Sequence, residues 1–519
     1  MKDMALNEDA RIAGAKPALV EYFCIEGLFG YRSVSLNSKH AATILIAKNG
    51  AGKTTLLGAL DAFLKCQFAR LSELQFSKIE CRLKGVAEML VLTKSDLDEV
   101  MQIADNSELI RMAKQYELEP VDLFHFVISE YPTLKLDLRE LRDHPIFRKV
   151  YMRGDYTVSS AKTIVEQIEA SIGAKNERIE RIRSSIRHVL SDVEIVYLPT
   201  YRRIELSLPE VEDPRTGRRP VNIQSKLGLS RRGLQSGDIQ FGLSDISERL
   251  SRLNQDMLIE SNQGYREISA NIINDLISGS FERESPSLEE RPSKEALNLF
   301  FSRLRAGRQY VGPYSDFQIP NLEHIYSEEN IPENSKKFLR YFLGKLNSVM
   351  QKTRDVEGVV EEFIKNCNRY LSSQDESVEV GGKSTRRPVY DDSKVLTLNR
   401  KDLRVTVSSV HANRNIPLDS LSSGEKQMIS LFARLYLYPK KKILLIDEPE
   451  LSLSLDWQRK ILVDIVSAQS CQQIIAITHS PFVFDNALEP FATPLKLRID
   501  PNAPNDAIAG EEEGESHGE

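Results

Sequence analysis

Thr43-Ile44-Leu45-Ile46 is a short apolar run, followed by the small, glycine-rich stretch Ala47 to Gly52 and a helical pattern from Thr55 to Leu64. An unbroken apolar run of this length predicts a strand buried on both faces. The segment therefore reads strand, loop, helix. Ile443–Ile446 and Ile474–Ile477 predict two more such strands. Tyr22 to Leu36 instead alternates and is broken by Gly27 and Gly30, which predicts an antiparallel pair. Cys81 to Thr93 and Val193 to Leu198 read as strand, and Leu396 to Val407 as a hairpin around Asn399-Arg400.

Most of the remaining pattern is helical. Lys94 to Asp192 carries Ile164, Ile168, Ile172, Ile179, Ile182 and Ile186 at helical spacing among charged residues. This run is too short for a coiled-coil arm and predicts packing on its own protein. Ser244 to Ile277 and Lys336 to Leu371 also read as helix. Pro214 to Gly237 and Gln374 to Asp392 read as loops, and the acidic 511–519 as a disordered end. No internal repeat is visible.

The chain has 519 residues, enough for roughly three domains. Its net charge of -6 gives no global sign of a nucleic-acid binder, so any such contact needs a local patch. One candidate is the loop at 214–237, with Arg215, Arg218, Arg219, Lys226, Arg231 and Arg232 and no acidic residue. It reads either as a solvated loop or as a salt-sensitive grip on phosphates. Tyr201 and Tyr310 are too isolated to argue base stacking. The five cysteines are scattered without a C-x-x-C pair, which fits a reducing compartment. Met1 to Lys16 lacks the apolar core of a signal peptide, and no run reaches the ~18 apolar residues of a membrane span. A cytoplasmic protein is expected.

Four segments carry candidate chemistry. Ala47-Lys48-Asn49-Gly50-Ala51-Gly52-Lys53-Thr54-Thr55, between strand and helix, is placed to curl backbone N–H groups around phosphate. Lys53 would reach the β- and γ-phosphates and Thr54 would hold Mg2+. Ala47 stands where the first glycine is usual. Asp447 and Glu448 end an apolar strand, where open α/β sheets bind ligands. Asp447 would join the Mg2+ shell and Glu448 would orient or deprotonate water; the bland alternative is a solvated strand end. Leu421-Ser422-Ser423-Gly424-Glu425 opens a helix and offers N–H groups and a hydroxyl to phosphate, or is a plain N-cap. His479 follows Ile474–Thr478 and would contact the γ-phosphate beside Glu448, or be structural.

In this order the four segments resemble the phosphate loop, signature, Walker B and switch histidine of ABC-type ATPases. The resemblance implies bound ATP and Mg2+, and two heads closing on nucleotide. Ser422, Ser423, Gly424 and Glu425 of one copy would face the phosphate loop of the other. Glu450 to Ser454 would be the dimer-facing loop, and Gln67 and Gln75 are candidates for the glutamine after the first lobe. Tyr197-Leu198-Pro199-Thr200-Tyr201-Arg202-Arg203-Ile204-Glu205, with Glu450-Leu451-Ser452-Leu453 and Trp457-Gln458, is similar to RecF/OLD-like ATPases, nearest the PtuA-type ATPases of Septu and retron anti-phage systems. That likeness implies a small HNH-type nuclease as partner, with DNA or a retron reverse transcriptase and its DNA as further partners. No H-N-H or repeated D-x-D cluster appears, so no nuclease domain is expected in the chain itself.

The expected architecture is an α/β, ABC-type P-loop ATPase head formed from N- and C-terminal segments with a large, mostly helical insertion. The expected limits are 18–93 for the N-terminal lobe, 94–394 for the insertion, 395–499 for the C-terminal lobe and 500–519 for the tail. The expected function is an ATPase regulating a nuclease in anti-phage defence. Alternatives are a RecF-like repair ATPase acting on DNA, and a nucleotide-gated scaffold with little turnover.

Overall fold

The computed structural model describes residues 2–48, 50–104, 107–135, 138–153, 157–172, 177–199, 243–279, 291–308, 322–327, 331–372, 379–380, 383–384, 393–401, 404–410, 414–417 and 420–501. The expected basic loop, Asn49, Arg202 and Arg203, Tyr310, most of 374–392 and the acidic end lie outside them. By contacts the chain divides into Met1–Gln240 with Lys440–Glu519, and Phe241–Pro439.

The first unit holds two five-stranded sheets. One is antiparallel and contains β1 (Val20–Leu28), β2 (Arg32–Asn37), β4 (Lys78–Leu83) and β5 (Leu90–Thr93), with β13 (Lys496–Ile499) beside β2. Its pattern is period two: Ile79, Cys81 and Leu83 of β4 are buried while the alternate residues are not. The other sheet runs β12 (Ala492–Pro494), β3 (Ala42–Ile46), β11 (Cys471–Thr478), β10 (Lys441–Asp447), β6 (Val193–Leu198). Each neighbouring pair in it is parallel. Ile443 to Ile446 in β10 are all buried, because this strand has a neighbour on either side and is covered on both faces.

α2 (Lys53–Leu64) follows the glycine-rich loop and packs on β10 and β6. All its residues from Leu56 to Leu64 are buried, so only its first turn reaches the surface. The two sheets are stapled by Gln473 of β11, which is 0% exposed. Its Oε1 accepts from Leu19 N (2.9 Å) and Val20 N (2.8 Å), and its Nε2 donates to Val20 O (3.0 Å) and Ser38 Oγ (3.1 Å).

Residues 94–189 are largely helical, as the periodicity predicts. The isoleucine run falls on two helices, Val158–Ile172 and Glu177–Val189, not one. Ile168, Ile179, Ile182 and Ile186 join the same apolar core as α2, so the run packs on its own protein. β6 is hydrogen-bonded along β10 from Val193↔Lys441 to Leu198↔Ile446. By contacts this strand joins 94–199 to the unit that holds the 47–55 loop. Residues 395–439, expected with the C-terminal lobe, belong by contacts to the other unit.

That second unit contains the long helices α3 (Leu243–Ser278) and α5 (Glu333–Leu371), with α4 (Lys294–Arg308) between them in sequence. Leu297, Phe300, Phe301 and Leu304 of α4 form a core with Leu343 and Leu346 of α5. α3 and α5 meet at Gly264, where an added Cβ would lie 2.7 Å from Val349 Cγ1. The expected hairpin is present as β7 (Lys394–Asn399) and β8 (Arg404–Ser409), joined by β9 (Arg414–Ile416). Asn368 of α5 anchors β7, donating to Leu396 O (2.9 Å) and accepting from Leu396 N (2.7 Å). The unit also holds α6 (Ser423–Tyr436).

Candidate functional site

β3 ends at Ile46 and α2 begins at Lys53, so the loop between them opens at the C-terminal edge of the parallel sheet. Gly50 (φ 77°) and Gly52 (φ 82°) take left-handed backbone, which favours glycine. Ala47 has no positive φ, so the departure from the usual first glycine costs no backbone strain. Its N–H donates to Thr478 O at 3.2 Å, tying the loop to the end of β11. Gly52 is the N-cap of α2 and makes no side-chain cap to its first turn; the N-terminus of a helix favours an anion. Arg32 of β2 donates to Gly50 O at 3.1 Å and lies over Phe29, 4.8 Å from the ring centroid.

The first turn of α2 meets the end of β10. Lys53 Nζ is 2.7 Å from Glu448 Oε1, and Thr54 Oγ1 donates to Asp447 Oδ2 at 2.5 Å. Residues 393 and 395 positions apart in sequence are thus brought into one cluster. Asp447 is buried at the last position of the strand. Glu448 continues the ladder, its N–H donating to Ile477 O at 2.9 Å, but with φ 50°. This is strained backbone for a non-glycine residue, of the kind held in place at functional sites. Thr55 follows in the same turn, half-buried. Ala51 N–H donates to Lys48 O at 3.3 Å, while Asn49 is outside the described residues.

His479 follows β11, and its side chain is 53% exposed. Nδ1 is 3.8 Å from Glu448 Oε1 and 3.1 Å from Glu450 Oε1. Tyr197 of β6 donates to Thr54 O at 3.5 Å. Burial, with Asp447 and Asp61 nearby, pushes its phenol well above the usual range and keeps it protonated as a donor. The sequence pattern places Tyr197 in a strand; its place beside Thr54 follows from the parallel pairing of β6 with β10, which local pattern does not encode.

The donor set suits Mg2+. Thr54 and Asp447 offer a hydroxyl and a carboxylate, both hard oxygen ligands. Among the described residues no group of three or more His, Cys, Asp or Glu could hold a metal. An ion here would lean on phosphate and water oxygens for its remaining ligands, as Mg2+ usually does.

Ser422, Ser423, Gly424 and Glu425 lie in the other unit, at the start of α6. Ser422 is an N-cap. Its Oγ accepts from Glu425 N (3.3 Å), and its own N–H donates to Glu425 Oε2 (2.7 Å), which completes a capping box. Lys394 Nζ is 3.0 Å from both oxygens of Glu425, anchoring the box to β7. The segment is therefore a well-made helix start in its own right. Of the two candidate glutamines, Gln67 is buried, with Oε1 accepting from Arg70 Nη1 at 2.6 Å. Gln75 is exposed, and its carbonyl accepts from Phe29 N at 3.0 Å.

A family model described as AAA ATPase domain matches residues 23–484, and the chain belongs to that family. Its membership carries ATP binding and ATPase chemistry. A search of curated proteins gives no match.

Proposed function

We propose that this AAA ATPase-domain protein binds ATP with Mg2+ at Lys53, Thr54 and Asp447 and hydrolyses it with Glu448, using the energy of closure to control a partner nuclease in anti-phage defence. The observation that carries the hydrolytic part is the convergence of Lys53 on Glu448 and of Thr54 on Asp447 at one sheet edge. Bound Mg2+ supplies charge neutralisation at the phosphates. Lys53 binds and orients the γ-phosphate. Glu448, freed from Lys53 as phosphate takes its place, accepts a proton from the attacking water. His479 stands beside Glu448 and holds it and the water in register.

Closure is proposed to occur between two copies. The resemblance to ABC-type heads supports it, with the Ser422–Glu425 helix start of one copy capping the phosphates on the other. Separation of signature and phosphate loop into different units is compatible with that arrangement. The nuclease, of HNH type, and any DNA or retron reverse transcriptase are supported by the likeness to PtuA-type ATPases alone. No described helix is long and apolar enough to cross a membrane.

The test is purification of the tagged chain from its native host, with and without ATP and in the Glu448→Gln form. A co-purifying small nuclease and an ATP-dependent doubling of mass by sedimentation are expected. A chain that stays monomeric with ATP and Glu448→Gln rejects the closure reading. A chain that travels without any nuclease, yet binds gapped DNA, favours the repair-type alternative.

A further inference from the structure

Glu450 stands two residues past Glu448 and is 7% exposed. Its Oε1 accepts a hydrogen bond from the His479 backbone N–H at 3.2 Å and lies 3.1 Å from Nδ1 of the same residue. The nearer carboxylate to the ring is therefore Glu450, and Glu448 is the farther one at 3.8 Å. The second oxygen, Oε2, is buried and has no hydrogen-bond partner among the described residues. Among the described residues the polar contacts of this side chain go to one residue, His479, through one oxygen.

The two loops involved are themselves fastened together. Gln458 Nε2 donates to Glu450 O (3.3 Å) and Leu453 O (3.0 Å), and its Oε1 accepts from Ser480 Oγ (3.0 Å). Gln458 sits in α7 (Leu455–Ser467), so a helix holds the Glu450 loop against the residue after His479. His479 is exposed over half its side chain, and a ring so placed has rotamers to lose. A buried carboxylate at its base removes that freedom before substrate arrives, which is the general benefit of positioning.

We infer that Glu450 is a positioning residue for His479: it fixes both the backbone and the ring of the histidine so that the imidazole faces Glu448 during ATP hydrolysis. The inference rests on the reading of Glu448 and His479 as groups that act on ATP. It concerns a side chain that itself touches neither Lys53 nor the phosphate loop in the contacts above.

The experiment uses the full chain with ring-13C-labelled histidine. The His479 signal, one of eight histidines, is identified by its loss in His479→Gln. In Glu450→Ala that signal should shift or broaden, kcat should fall about 10- to 100-fold, and KM should stay within about threefold. Glu450→Gln keeps an oxygen for the two His479 contacts, so the signal and most of the turnover should return. The double variant Glu450→Ala/His479→Ala should be no slower than His479→Ala alone. If Glu450→Ala does not fold, Glu450→Met, of similar volume and without the acceptor, replaces it. An unmoved His479 signal, or losses that multiply in the double variant, overturns the inference. Wild-type turnover no higher than that of Lys53→Ala would overturn the ATPase reading instead; the His479 signal then decides the positioning contact by itself.

Discussion

Lys53 Nζ and Glu448 Oε1 are 2.7 Å apart, with side chains 7% and 17% exposed. The pair couples the residue proposed to bind phosphate to the residue proposed to activate water. Glu448→Gln leaves Lys53 an oxygen acceptor, so ATP affinity should stay within a few-fold while phosphate release falls by about 10²–10⁴. Lys53→Ala leaves a mostly buried carboxylate without its cation. It should lose ATP binding by calorimetry and melt at lower temperature than Glu448→Gln. Tight ATP binding by Lys53→Ala would remove the phosphate-loop assignment.

Thr54 and Asp447 share one hydrogen bond of 2.5 Å. Thr54→Ala should raise the Mg2+ concentration needed for half-maximal turnover by about tenfold, in line with loss of one ligand contact. Nucleotide affinity measured in EDTA should not change. Turnover should vanish with EDTA in the wild type. A Thr54→Ala enzyme with an unaltered Mg2+ titration would separate the hydroxyl from the ion.

Ser422 has a structural duty that can be told apart from a catalytic one. Glycine is nearly as good an N-cap as serine, and alanine costs about 1 kcal/mol. Ser422→Ala should therefore lower the melting temperature more than Ser422→Gly. Both lack the hydroxyl, and both should reduce ATP-dependent dimer formation in the Glu448→Gln background. If Ser422→Gly dimerises as well as the parent, the serine is a cap and nothing more.

Gln473 makes four bonds across the join between the two sheets. Gln473→Leu keeps the volume and strands the Leu19 and Val20 N–H groups. With about 1–3 kcal/mol per unsatisfied buried group, the two together should cost about 2–6 kcal/mol. It should appear in the first transition of a denaturant titration. A midpoint within error of the wild type would mean that β1 finds other partners.

Burial pushes the thiol of Cys66 up to about 11 and that of Cys471 up to about 12. A raised value means less thiolate at a given pH, hence a slower nucleophile. Maleimide labelling at pH 8 should be slow for these two in the folded chain and fast in urea. Rapid labelling of native Cys66 would show that its surroundings open.

The strand–loop–helix at 43–64 and the strand that ends at Asp447 are legible because each is contiguous. Gly50 and Gly52 announce their backbone, and Ile443–Ile446 announces a strand buried on both faces. The open question at Ala47 was settled by its backbone, which never needed a glycine. What could not be read lies across the fold. Gln473 bonds to a residue 453 positions away. Gln67, a candidate for the nucleotide, accepts at Oε1 from Arg70, three residues on. The contact of Glu450 with His479 depends on how two strand ends align. The division at 240 and 440 was hidden for the same reason, since a short strand inside a helical region gives no sign of its partner.

Among the described residues β6 is the edge of its sheet and ends one residue short of the proposed magnesium ligand, with Leu198 paired to Ile446. The chain leaves that edge at Pro199, bound for the segment that carries the basic residues. The register of β6 with β10 fixes which face each side chain of the strand takes. Drawing it by one residue, about 3.3 Å, would turn every side chain to the opposite face. Tyr197 would then be withdrawn from Thr54.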